Sequence, residues 1–191
     1  MYYVEPEIRP LSHYPSPTHG NANVSNGYLQ AFDVFVKSNL RLVSVVLHPK
    51  GSPGPLCTCV FALTVTSPLC NRFGTLHGGA TAYLIDICTT LALAPIAAPG
   101  FWGSAGVSRT LSATYLRPAP QGMEVRVVAE VVQAGRRTCS LRARVEDGQT
   151  GVWLSTGEHC KVENSDIKSV EGGSEKEERE RDSMLIGRAK L

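Results

Sequence analysis

The chain lacks several patterns that would settle its class at once. None of its six cysteines is spaced C-x-x-C, the spacing that sets two thiolates on one zinc. Cys57-x-Cys59 and the His159-Cys160 pair are the sharpest metal candidates, and neither supplies that spacing. No glycine-rich stretch ends in Gly-Lys-Ser/Thr, so a nucleotide-phosphate loop, suggested by the glycines alone, ranks last among the alternatives. No uncharged apolar run reaches the roughly 18 residues that span a bilayer, because Asp86 interrupts the closest one, Ala80 to Ala98. The net charge is only +2 and no basic stripe crosses the body of the chain, which argues against a nucleic-acid surface. The start, MYYVEPEIRP, has no apolar core for a secretory leader, and its two glutamates suit a transit peptide poorly. The expectation is a cytoplasmic protein, with the mitochondrion as alternative, no membrane span and no nucleic-acid partner. Cys57, Cys59, Cys70, Cys88, Cys139 and Cys160 are accordingly read as reduced, most of them as small buried hydrophobes.

What is present suits one domain with tails: 191 residues, 42% of them apolar. Residues 1–25, rich in Pro, Gly, Asn and Ser, read as an irregular N-terminal arm. Asn26 to Leu40 approximates a short amphipathic helix. Leu40 to His48 and Cys57 to Thr66 read as strands, parted by the Pro/Gly turn 49–55. Ala80 to Ala97 reads as one long, mostly buried helix ended by Pro99-Gly100. Gly106 to Leu116, Met123 to Val132, Arg137 to Glu146 and Gly151 to Val162 read as four further strands. Met123, Val125, Val127, Ala129 and Val131 share one face of the second; Cys139, Leu141, Ala143 and Val145 share one face of the third. The connections at 118–122, 134–135 and 147–148 are short enough for hairpins. Residues 163–191 are polar and highly charged, and are expected to be disordered.

This order is not the alternation of a parallel sheet. It predicts an α+β domain over 26–162, one antiparallel sheet wrapped around one apolar helix. A helix apolar nearly all round needs cover on more than one side, so a second copy of the chain is expected.

Residues 71–86 read NRFGTLHGGATAYLID. Glycines precede the helix, and Asp86 stands within it where a core helix should hold no charge. Taken singly, each residue has a plain reading. Asn71 suits a turn, Asp86 a paired core carboxylate, Ser108 an ordinary strand position. As a set, Asn71-x-x-Gly74-x-x-His77-Gly78-Gly79, then Asp86, then Val107-Ser108, resembles the hotdog-fold acyl-CoA thioesterases, most of all the phenylacetate-pathway and thioesterase-superfamily-member-two types. The resemblance implies a hotdog fold and hydrolysis of an acyl-CoA thioester. It implies that Gly78 and Asn71 polarise the thioester carbonyl, that Asp86 acts as nucleophile or as base on water, and that Ser108 orients that water. No cofactor is then required, since coenzyme A is part of the substrate.

The start of a helix leaves N–H groups unpaired, so the Gly78 and Gly79 amides are expected as a donor pair for an oxygen. His77 is expected to brace the loop. Coenzyme A phosphates need cations, for which Arg136, Arg137, Lys161 and Arg117 are candidates. Phe101 and Trp102, in a long loop between Asp86 and Ser108, are expected to shape the acyl pocket or a partner surface. Gly78 and Asp86 are eight positions apart on one helix, about 12 Å at 1.5 Å per residue. They cannot flank one thioester carbon from the same helix, which argues for a site shared between two chains of a homodimer or homotetramer. The alternatives are another hotdog acyl-CoA enzyme, a dehydratase, and a non-catalytic acyl-CoA-binding protein.

Overall fold

A computed structural model describes residues 33–49 and 51–164. The expected arm, the first part of the expected helix (26–32) and the charged tail from 165 onward lie outside the described residues. Residues 33–39 form helix α1, which buries Val36, while Leu40 just after it is buried as well. Then follow β1 (Arg41–Leu47), β2 (Cys57–Thr64), α2 (Gly78–Leu91), β3 (Val107–Tyr115), β4 (Glu124–Ala134), β5 (Thr138–Asp147) and β6 (Trp153–Val162). The six strands make one antiparallel sheet in the order β1-β2-β4-β5-β6-β3.

The alternation read from the sequence sets this sheet. Val125, Val127, Ala129 and Val131 of β4 are buried, as are Cys139, Leu141, Ala143 and Val145 of β5. The register opposes Val127 to Val145, Ala129 to Ala143 and Val131 to Leu141, so one face is continuously apolar. Onto it α2 lays Ala80, Leu84, Ile85 and Cys88. Gly157 of β6 allows a close approach. A Cβ there would meet Ser112 O at 2.7 Å and Ile85 Cγ2 at 2.8 Å. The Tyr83 hydroxyl donates to the Asp33 carboxylate and ties α1 to α2.

Two expectations need correction. The helix ends at Leu91, and Ala94–Ile96 is a 3-10 turn. The cause is Pro95, whose ring and missing N–H stop an α-helix well before Pro99. The stretch Gly78–Ile96 is apolar enough on average to cross a membrane. Its α-helical part has 14 residues, about 21 Å, and packs as a core helix under the sheet. The second correction concerns residues 118–122, which are not a hairpin turn. β3 pairs with β6 at the sheet edge, whereas β4 lies between β2 and β5. The connection is therefore a crossover, and Pro118 and Pro120 hold it extended.

That crossover positions the loop before α2. Ala119 O accepts from Leu76 N at 2.8 Å, and Gln121 N donates to Gly74 O at 2.9 Å. At the other side of the sheet, β3 has only β6 as a partner among the described residues. Eight of its nine residues are exposed, Val107, Leu111 and Tyr115 among them.

Candidate active site

The loop that feeds α2 is shaped by Asn71. Its Oδ1 accepts from Phe73 N at 2.9 Å and its Nδ2 donates to Thr75 Oγ1 at 3.0 Å. This is a side chain standing in for backbone in a turn. An amide nitrogen has two hydrogens, so one remains for a ligand. Gly74 follows at φ +71°, a value that glycine adopts without strain.

His77 is the N-cap of α2, and its Nδ1 accepts from Gly79 N at 2.9 Å. The bracing role expected of His77 is thus realised through the Gly79 amide. The expected pair of donors is reduced to one: the Gly79 N–H is spent on the cap, and Gly78 N–H is the helix-start donor left by position. The Gly78 carbonyl accepts from the Tyr115 hydroxyl at 2.9 Å. A cavity of about 370 Å³ opens at this end of α2, lined by Asn71, Gly78, Thr81, Tyr115, Arg117 and Ser155 among others. Ser155 Oγ is buried there without a hydrogen-bond partner among the described residues. Asp86 and Ser108 are not part of this lining.

They belong to a second cluster, further along α2. The Asp86 side chain is 41% exposed and its Oδ1 lies 3.7 Å from His159 Nε2. Ser108 Oγ lies 2.9 Å from the same Nε2, and Thr89 Oγ1 lies 2.7 Å from His159 Nδ1. Hydrogen-bond logic assigns the protons. The Thr89 hydroxyl donates to Ile85 O at 2.7 Å, so its oxygen accepts from His159 Nδ1–H. His159 Nε2 then accepts from the Ser108 hydroxyl. The Ser108 oxygen keeps its lone pairs for a water beside Asp86. Burial is the main cause that pushes the His159 imidazole below its ordinary value; Asp86 pulls the other way and Lys161 adds to the lowering. The ring is neutral at pH 7.

From the sequence His159 stands out only as half of a weak metal pair with Cys160, not as a partner of Asp86 and Ser108. A signal was there, because the inward positions of β6 are Ser155, Gly157, His159 and Lys161, a polar row under an apolar helix. Lys161 is 3% exposed and its Nζ donates to Thr90 Oγ1 at 3.0 Å. It lies beneath α2 and not on a solvated strand edge, so in this chain it does not face out to meet phosphates. Arg136 and Arg137 are exposed in the β4–β5 turn, apart from the cavity lining. Arg117 lines the cavity and its Nη1 donates to Trp153 O at 2.8 Å. Trp102 is buried, with its indole N–H on Gly135 O at 2.8 Å and its backbone N–H on the Glu163 carboxylate at 2.8 Å. It anchors the 99–106 loop and does not line the cavity. Cys57 and Cys59 Sγ are 3.8 Å apart and both buried, and all six cysteines are free thiols.

The model of the Thioesterase superfamily matches residues 73–154, the stretch from the Asn71 turn to β6. Over that stretch the chain is similar to this superfamily. Acyl-coenzyme A thioesterase 13 is similar to it in two species. The mouse protein is 34% identical over 48% of this chain and 62% of its own length. The human protein is 29% identical over 63% of this chain and 81% of its own length. The match thus spans less than two thirds of the mouse relative. Zebrafish thioesterase superfamily member 2 superposes with a TM-score of 0.55 at 26% identity, covering 74% of this chain and 99% of that one. Phenylacetic acid degradation protein PaaI of Thermus thermophilus, at 23% identity, shares the fold with a TM-score of 0.54, over 69% of this chain and 99% of that one. The hotdog fold expected from the sequence is the fold of these superfamily members.

Proposed function

We propose that the chain is an acyl-CoA thioester hydrolase: acyl-CoA plus water gives a free carboxylic acid and coenzyme A. Similarity to the Thioesterase superfamily and to acyl-coenzyme A thioesterase 13 supports the reaction class. One observation carries the mechanism: Gly78 and Asp86 lie on separate stretches of α2, and Ser108 of β3 and His159 of β6 gather at Asp86 and not at Gly78. A carbonyl oxygen held by Gly78 N–H and the spare Asn71 N–H becomes more electrophilic at carbon. A water held by Asp86 and Ser108 loses its proton to the carboxylate as it attacks. The tetrahedral intermediate expels the thiolate. No step uses a cofactor, and coenzyme A enters as part of the substrate.

The two half-sites meet when α2 of one chain lies antiparallel to α2 of a second. The exposed edge strand β3 offers the second chain unpaired backbone along its outer side. A homodimer, or a tetramer built from two of them, is therefore the active unit in this reading. Arg117 at the cavity, with Arg136 and Arg137, supplies cations for coenzyme A phosphates. Both ring nitrogens of His159 are engaged, which favours hydrolysis over a dehydratase that needs a free His–acid pair.

The test mixes two inactive variants. Asn71→Ala and Asp86→Asn each lose turnover of an acyl-CoA panel alone. Refolded together, they recover about a quarter of parental activity, because half of the dimers are mixed and each holds one intact site. No recovery in demonstrably mixed dimers would place both residues in one chain's site.

A further inference from the structure

We propose that Lys161 is a positioning residue for this reaction. From beneath α2 it orients the Thr90 hydroxyl, and through Thr90 it orients the Asp86 carboxylate. The proposal rests on Asp86 being the group that acts on water.

The direction of the hydrogen bonds carries the inference. Lys161 Nζ lies 3.0 Å from Thr90 Oγ1. An ammonium group has donors and no acceptor, so the Thr90 oxygen must accept this bond. The single Thr90 hydrogen is left to point elsewhere, and Asp86 Oδ1 lies 3.4 Å away. Residues 86 and 90 are four apart, on one face of the helix. Ammonium, hydroxyl and carboxylate thus form a chain in which every donor points the same way.

Burial says that this chain has a purpose. Lysine is almost never fully buried unless paired, and Lys161 is 3% exposed. Among the described residues, no carboxylate forms a direct ion pair with it. Burial lowers its affinity for a proton, and the Asp86 charge is the largest influence that restores it. A buried charge whose main counter-charge is reached through one hydroxyl is costly unless the geometry it imposes is used.

The test takes the full chain with Lys161→Met, Thr90→Val and Thr90→Ser, assayed on an acyl-CoA and on the matching acyl N-acetylcysteamine thioester, which has no phosphate. Lys161→Met and Thr90→Val are each expected to lower kcat about tenfold to a hundredfold, the usual scale for a misplaced catalytic group. KM stays within about twofold, both substrates lose equally, and the double variant is no worse than the poorer single one. Thr90→Ser, which keeps the hydroxyl, retains most of the parental kcat. A rise in KM confined to the acyl-CoA would overturn the proposal and make Lys161 a phosphate ligand. A second arm needs no turnover. Asp86→Asn is expected to lower the urea-measured folding constant about tenfold more in the parent than in the Lys161→Met background. Equal effects in both backgrounds overturn the proposal. A parent without any thioester turnover would sink the hydrolase reading instead, and the second arm would still decide the coupling.

Discussion

Ser108 Oγ stands 2.9 Å from His159 Nε2, on the same ring nitrogen that faces Asp86 at 3.7 Å. The imidazole therefore fixes where the serine proton points, and the serine oxygen is left open toward the carboxylate. Ser108→Ala removes the orienting oxygen but not the base. We expect kcat to fall about tenfold to a thousandfold, and Asp86→Ala to fall further, with the fold retained in both. Steady-state assays on an acyl-CoA panel with a thiol reagent check this. Parental turnover by Asp86→Ala would remove Asp86 from the mechanism.

The same imidazole makes stability depend on pH. Its folded-state value lies below the ordinary 6.5, chiefly through burial. Above pH 6.5 neither state holds the proton. As the pH falls below 6.5 the unfolded chain takes it up and the folded chain resists, so stability is lost. The loss continues until the folded-state value is passed, below which both states hold the proton. Urea unfolding at pH 7.5, 6.5 and 5.5 measures it, and His159→Gln should lose this one-proton component. An unchanged slope in that variant would refute the assignment.

Gly157→Ala tests the contact of α2 with β6. The added methyl would sit 2.7 Å from Ser112 O, a backbone atom that cannot swing away, and 2.8 Å from Ile85 Cγ2. Removing glycine's freedom would contribute about 0.4–1 kcal/mol. Overpacking costs about 1–3 kcal/mol, so the net effect is destabilising. Chemical denaturation should show a lower midpoint, partly restored by Ile85→Val.

His77→Ala tests the cap. It frees the Gly79 N–H that His77 Nδ1 now accepts. Loss of an N-cap costs about 0.5–2 kcal/mol. His77→Asn, which can still accept, should recover much of that stability in thermal melts. Equal melting of His77→Ala and the parent would show that the cap contributes nothing.

Much of the scaffold was legible because its signals are local. Val125, Val127, Ala129 and Val131 alternate, and a two-residue period needs no knowledge of the partner strand. The end of α2 was misplaced because an apolar run outweighed Pro95, which is itself a local stop. The pairing of β3 with β6 was not legible from turn length, since a strand's partner is a long-range choice. The site divides in the same way. Asn71, His77, Gly78 and Asp86 sit in one short stretch and could be read together. His159 and Lys161 join them only after β6 slides under α2. Lys161 reads as a candidate for phosphate because lysines usually face solvent; the alternation of WLSTGEHCKV places it inside.

The proline-held crossover has a consequence in time. The loop at Leu76 and Gly74 is fastened by Ala119 and Gln121, which emerge much later in synthesis. During folding the Asn71–Gly78 loop has only its local bonds until that strap arrives, and contacts of such long sequence separation form slowly. Pulse-labelled hydrogen exchange should therefore find the α2 interior protected before the Leu76 amide. The chain would then build its scaffold first and acquire its carbonyl-binding edge last.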